Sequence, residues 1–295
     1  MTNVLVVYKK NFESIHDDSL DHLKSSLQDA KSNHQLRVEI RARERVRRAD
    51  FIGRDLVIVL GGDGTLTSIS HNIDESTPVM GVNSHPKSDD PTGSVGFYMD
   101  STLETFSEDL ERALTGKAIE NNLPRLRAII DSTSGNRYTT DPAMNELLIA
   151  NTHQYAPSKY HLRRGDKNTD QQSSGLIFST WLGQGAWFSH SLDPKNLTEI
   201  RKVVEAGEED THYFVLARDL DHQMRIDKKW SWLDWTETTT QILSDMHRGY
   251  VVPDGWDEVH FNRGASISVD LKAPKLRLLT FRQSMKDRLK ESMKP

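Results

Sequence analysis

Residues 56–60 read Leu-Val-Ile-Val-Leu and run directly into Gly61-Gly62-Asp63-Gly64-Thr65. Five apolar residues in a row, with no polar alternation, suit a strand buried on both faces, as in a parallel sheet covered by helices. Glycines at its end and a short helical pattern over 65–72 complete a strand–turn–helix unit. A chain with this segment is strongly constrained to a layered α/β domain. Its flanks agree. Residues 4–8 form a β-branched first strand, and 16–31 carry Leu20, Leu23 and Leu27 at helical spacing. Residues 36–40 and 78–82 read as further strands. Residues 103–114 read as a helix capped by Asp100 or Ser101 and closed by Gly116. This predicts an α/β domain with a parallel sheet over 1–118.

Beyond residue 118 the pattern changes to short β-like runs at 125–131, 146–150, 159–163, 176–178, 212–218, 265–269 and 275–281, with one helical stretch at 197–206. Polar or Gly/Pro turns separate them, which predicts a second, β-rich domain over 119–281. The charged tail 282–295 is expected to be helical or frayed and to return to the first domain. A length of 295 residues fits two domains of ~100–200 residues each. With 38 Lys+Arg against 43 Asp+Glu, the net charge of −5 argues against a general nucleic-acid binder. The absence of cysteine excludes disulfide scaffolds, thiolate metal sites and cysteine nucleophiles. No run approaches the ~18 apolar residues of a membrane span, and residues 1–10 lack a signal or transit pattern. The expectation is a soluble cytoplasmic protein with no membrane partner.

The turn at 61–65 has the makings of an anion cradle. Glycines let the backbone approach phosphate, and the N–H groups of a helix start favour negative charge. A carboxylate at Asp63 would repel phosphate in such a cradle, and it makes sense if it faces an attacking hydroxyl as base or orienter. The alternative is a glycine-rich turn in which Asp63 merely caps the following helix.

The pentapeptide resembles the signature shared by the NAD kinases and the diacylglycerol and sphingosine kinases. Other segments narrow the resemblance to the NAD kinase family: Gly81-Val82-Asn83 with Gly93-Ser94-Val95-Gly96-Phe97-Tyr98; Leu123-Pro124-Arg125-Leu126; Asn145-Glu146; Ser174-Gly175-Leu176 through Ala186-Trp187; and Val252-Pro253-Asp254-Gly255. Ser173-Ser174-Gly175 and Trp187 resemble the branch containing mitochondrial NAD kinases. The resemblance implies an α/β domain joined to a β-rich domain, and transfer of phosphate from ATP to the adenosine ribose 2′-hydroxyl of NAD. It implies Asp63 as the catalytic group and Gly61, Gly62, Gly64 and Thr65 as the cradle for ATP phosphates. Phe97, Tyr98, Asn145, Glu146, Ser174, Ala186 and Trp187 are implied to bind NAD. Mg²⁺ is expected to enter with ATP and not in a dedicated protein metal site, and the branch implies a homodimer.

The chain departs from the resembled pattern at 180–187. Leu182 and Gly185 stand where that pattern carries hydroxyls, Gln184 where it carries serine, and Ser174 where it carries aspartate. Each lost hydrogen bond weakens polar recognition by ~0.5–1.5 kcal/mol. Two other readings therefore stand beside NAD phosphorylation: a catalytically silent NAD(P)-binding regulator, and a kinase of another acceptor such as a lipid. Arg41, Arg43, Arg45, Arg47 and Arg48 read as a solvated helix face or as contacts to phosphate. Trp230, Trp232 and Trp235 read as a hairpin or subunit contact, and Lys286, Arg288, Lys290 and Lys294 as a solvated basic tail.

Overall fold

The computed structural model describes residues 1–10, 15–192, 194–220 and 233–292. In chain order the first elements are β1 (Thr2–Tyr8), α1 (Ile15–Asn33), β2 (Leu36–Ala42), α2 (Arg48–Phe51), β3 (Leu56–Gly61), α3 (Asp63–Ser70), β4 (Pro78–Asn83), β5 (Ser101–Thr102), α4 (Phe106–Leu114) and β6 (Ile119–Asp131). There follow β7 (Arg137–Thr139), β8 (Glu146–Asn151), β9 (Ser158–Arg164), β10 (Lys167–Ser173), β11 (Leu176–Ser179), α5 (Trp187–His190) and α6 (Pro194–Ala206). The remainder are β12 (Tyr213–Ala217), β13 (Leu233–Thr236), β14 (Thr240–Ser244), β15 (Arg248–Pro253), β16 (Val259–Asn262), β17 (Ser266–Thr280) and α7 (Met285–Ser292). Two compact units divide the chain: Met1–Leu123 with Lys275–Pro295, and Pro124–Pro274.

The first unit is built on a parallel sheet in the order β2-β1-β3-β4, extended by the last residues of β17, which pair in parallel with β4. All six residues of β3 are buried, as its unbroken apolar run requires. Leu20, Leu23 and Leu27 of α1 pack with Phe106 and Leu110 of α4 against Val4, Val6, Ile58 and Met80. The chain steps from β1 to β2 on one side and then to β3 and β4 on the other, so the sheet has a topological switch point between β1 and β3. Open α/β sheets bind ligands at the carboxyl ends of the strands flanking such a point. Here Lys9 N–H donates to the Leu60 carbonyl at 3.1 Å, and the glycine turn begins one residue later.

The second unit is antiparallel. One sheet runs β13-β12-β11-β8-β15-β16, and β10, β9, β14 and the start of β17 form a second antiparallel run. Alternate residues of both, among them Leu147, Ile149, Phe178, Val215, Tyr160, Leu162, Ile242 and Ile267, meet in a single core. Arg125 is wholly buried, and its Nε donates to the Pro274 carbonyl.

Several local expectations change. Helix α4 starts at Phe106 with Thr105 before it, and neither Asp100 nor Ser101 caps it. The Asp100 carboxylate instead accepts the Phe281 and Arg282 N–H groups, at 2.5 and 3.0 Å. Residues 97–98 lie in a loop. The arginine run is not helical over most of its length: Arg41 lies in β2, paired with Glu39 and Asp50, and residues 43–45 make one 3-10 turn. Trp230 and Trp232 lie outside the described residues. Trp235 stacks on His212 and donates its indole N–H to Glu208 at 3.1 Å.

Candidate active site

The first cluster lies in the first unit, where β3 gives way to α3. Gly61 closes the strand, Gly62 precedes the helix in extended backbone, and Asp63 occupies the helix's first turn. Close approach demands the first two glycines. A Cβ on Gly61 would stand 2.4 Å from Thr65 Oγ1, and one on Gly62 2.8 Å from Ser94. Thr65 is buried against this strand end, whereas Gly64 is exposed with open space about its Cα. The N–H groups of a helix's first turn have no partner within the helix, so Gly64 presents its amide at the open side of the turn.

Asp63 does not cap its own helix. Its carboxylate reaches across to the loop after β4, where Oδ1 accepts the Tyr98 N–H at 2.8 Å and Oδ2 accepts the Phe97 N–H at 3.0 Å. The Ser94 hydroxyl also donates to Oδ2, at 3.2 Å, and Ser94 Oγ in turn accepts the N–H of Asp63 at 3.3 Å and of Gly96 at 3.2 Å. The loop is pinned to β4 as well, because Asn83 Nδ2 donates to the Ser94 carbonyl at 3.2 Å. A carboxylate offers about four acceptor positions. Three are used among the described residues, and the one left belongs to Oδ1. Tyr98 is buried and Phe97 half-buried, their rings edge-on with centroids 5.1 Å apart. Tyr98 thus serves this cluster through its N–H, and Phe97 through both N–H and ring.

The second cluster lies in the second unit, around Asn145 and Glu146 at the start of β8. Three successive N–H groups, of Met144, Asn145 and Glu146, donate to the Asp254 carboxylate at 2.7, 2.8 and 3.0 Å. Asp254 follows β15 at φ 47°, and Gly255 follows it at φ 79°. That pair of left-handed residues turns the chain and aims the carboxylate back at β8; aspartate tolerates this conformation better than most residues. On the other side, Thr180 N–H and Ser179 Oγ donate to the Asn145 carbonyl at 2.9 and 3.1 Å, and Thr180 Oγ1 donates to the Met144 carbonyl at 2.5 Å.

Glu146 is buried, and its side chain accepts the N–H groups of Phe188 and Trp187. Burial, reinforced by the nearby Asp254 charge, pushes its carboxyl up to about 8 against those two donors. It therefore carries a proton at neutral pH and can donate a hydrogen bond. The consequence for stability has a definite sign. Between the ordinary value of 4.5 and about 8, the unfolded chain loses this proton while the folded chain keeps it. Folding is then disfavoured by up to about 1.4 kcal/mol per pH unit across that window. Denaturation at pH 5, 7 and 9 is expected to show Glu146→Gln gaining on the wild type as pH rises to about 8, and no further above it. Parallel pH profiles for the two proteins would contradict this assignment.

Within this unit Asn145, Glu146, Ala186 and Trp187 come together, since Ala186 precedes α5 and the first two residues of that helix bond Glu146. Ser174 lies at the opposite end of β11, where the register pairs Ser179 with Glu146 but Leu176 with Ile149. It is linked to the group through Arg218, whose carbonyl accepts the Ser174 N–H at 2.8 Å and whose guanidinium lies 4.6 Å from the centre of the half-exposed Trp187 ring. Leu182 is buried, so it fills the core and does not stand in for a ligand-facing hydroxyl. The Gln184 side chain lies outside the described residues.

Sequence reasoning passed over three contributors: Ser94, Asp254 and Arg218. Ser94 and Asp254 stand inside segments that carry the family resemblance, and that was the available signal. Arg218 carries none.

A family model, the ATP-NAD kinase N-terminal domain, matches residues 3–118. The chain is 23% identical to the NAD kinase of Thermoplasma volcanium over 244 residues, covering 82% of this chain and 79% of that one. The chain is thus similar to the NAD kinase family, by the family model over residues 3–118 and by this relative over most of its length. Its fold agrees with solved structures of that family. The NAD kinase from Archaeoglobus fulgidus in complex with ATP superposes with a TM-score of 0.71 at 17% identity, covering 98% of this chain and 99% of that one. The yeast NADH kinase complexed with NADH gives 0.71 at 13% identity, covering 98% and 86%. The N-terminal match takes in the glycine turn, Asp63 and the 94–98 loop; the Asn145–Glu146 cluster lies beyond it.

Proposed function

We propose that this chain transfers the γ-phosphoryl group of ATP to the adenosine ribose 2′-hydroxyl of NAD, giving NADP and ADP. The observation that carries the reading is the Asp63 carboxylate. It is held at the switch point of a parallel sheet by two peptide N–H groups and one hydroxyl, with an Oδ1 position left to accept a hydroxyl. Similarity to the NAD kinases and the nucleotides named with the solved structures it resembles support the choice of substrates.

In this reading Asp63 accepts the hydrogen bond of the 2′-hydroxyl, fixes its lone pair toward the phosphorus, and takes its proton as the bond forms. Phosphoryl transfer passes through a loose transition state, so alignment and charge stabilisation dominate. The Gly64 amide at the open turn suits phosphate oxygen. Within the second unit, Asn145, protonated Glu146 and Trp187 offer polar contacts and an aromatic wall of the kind that suits a dinucleotide. The donor set of the turn is N–H groups, and its one carboxylate is already engaged three times. These residues do not make a cation cage, and magnesium enters as part of the MgATP substrate. A cytoplasmic homodimer is the assembly we favour, on the sequence resemblance; among the described residues no helix is long and apolar enough to cross a membrane.

The test is an acceptor panel with purified protein and MgATP: NAD, NADH and a sphingoid base in detergent, each scored for ADP release. Release with NAD or NADH, at least tenfold above the lipid, is expected. Release with the lipid alone, or tight NADP binding with no release from any acceptor, would contradict the reading.

A further inference from the structure

The peptide units 96–97 and 97–98 are held at both ends. Their N–H groups, on Phe97 and Tyr98, go to the two oxygens of Asp63. Their carbonyls, on Gly96 and Phe97, go to one guanidinium: Arg288 Nη2 donates to Gly96 O at 2.7 Å, and Nε to Phe97 O at 3.0 Å. The third nitrogen of that guanidinium, Nη1, donates to Asp100. Arg288 lies on α7, whose Met285 and Leu289 are buried, so the helix is anchored while its arginine points at the loop. The chain from Asp100 through Arg288 and two consecutive peptides to Asp63 is unbroken, and every member belongs to the first unit.

We propose that Arg288 is a positioning residue for Asp63, acting through these two peptides. The inference rests on the functional reading above. A planar fork that grips two successive carbonyls fixes the tilt of both peptide planes, and thus the direction of the two N–H groups that aim the carboxylate. A positive charge on the carbonyl side also polarises each peptide so that its N–H donates more strongly. Lysine supplies charge but no fork. What reads from sequence as a solvated basic tail is in this respect part of the site's frame.

The experiment compares Arg288→Lys and Arg288→Met with the wild type in NADP formation, and measures amide hydrogen exchange in each protein. Both variants are expected to lose tenfold or more in kcat with the KM for ATP within threefold, Arg288→Lys less than Arg288→Met. Exchange at Phe97 and Tyr98 should quicken while β3 amides keep their protection. In an Asp63→Asn background, Arg288→Met should cost less than threefold more, because the group it positions is already gone. Unchanged kcat in Arg288→Lys and Arg288→Met, an exchange gain spread evenly over the unit, or fully multiplicative losses with Asp63→Asn would each overturn the proposal. A wild-type protein that forms no NADP would sink the functional reading itself, whereas active wild type with unaffected variants sinks only the role of Arg288.

Discussion

Asp63→Asn is expected to lower kcat for NADP formation by about 10²–10⁴, the range for removing a positioned general base. The geometry adds a second consequence. Asp63 takes the Tyr98 N–H on one oxygen and the Phe97 N–H on the other. An amide has one oxygen, so in the variant one of these N–H groups faces an NH₂. A lost bond to a charged acceptor costs about 1.5–3 kcal/mol, and the variant should unfold at lower denaturant by a matching amount. Dinucleotide affinity, measured by fluorescence titration, should fall far less than kcat, because the Asn145–Glu146 cluster is untouched. A variant that keeps wild-type kcat, or that loses binding and turnover in equal proportion, would contradict the role given to this side chain.

The second large effect belongs to Asp254→Ala. Three consecutive N–H groups lose their only described charged acceptor, and the alanine must hold a φ of 47°. Losses of this kind are not additive, and a net cost of about 3 kcal/mol or more is expected, roughly 6–12 °C in thermal midpoint for a chain of this size. Asp254→Asn tolerates the backbone and keeps one acceptor, so it should lie between. Both variants should also release Glu146 from a neighbouring negative charge, lowering its carboxyl from about 8. Calorimetry at pH 7, with dinucleotide titration on whatever remains folded, checks the order: wild type, then Asn, then Ala. An alanine variant as stable as the wild type would show that the 144–146 turn holds itself.

The difference between what the sequence reveals here and what it hides follows from how far apart the interacting groups lie. Strand β3 and helix α1 were legible because their signals are local, an unbroken apolar run and leucines one turn apart. Asp63 was legible for a chemical reason, since a carboxylate in a glycine cradle needs explaining. Its partners were not, because the N–H groups of Phe97 and Tyr98 lie more than thirty residues away. Asp100 reads as a helix cap because it precedes a helical pattern, yet its carboxylate is used by backbone some 180 residues on. Leu182 reads as a defect in ligand recognition because the resembled pattern has a hydroxyl there, and only packing reveals it as core. Arg288 hides among lysines that share its charge but not its contacts.

All of this converges on one hydroxyl and one carboxylate. The sharpest test is to follow the γ-phosphoryl group of labelled ATP in parallel reactions with NAD, using wild type and Asp63→Asn at equal folded concentration. Label is expected on the adenosine 2′-oxygen of a product that an NADP-specific dehydrogenase accepts, formed by the wild type at least about a hundredfold faster than by the variant. Label on another position, or equal rates from the two proteins, would contradict it.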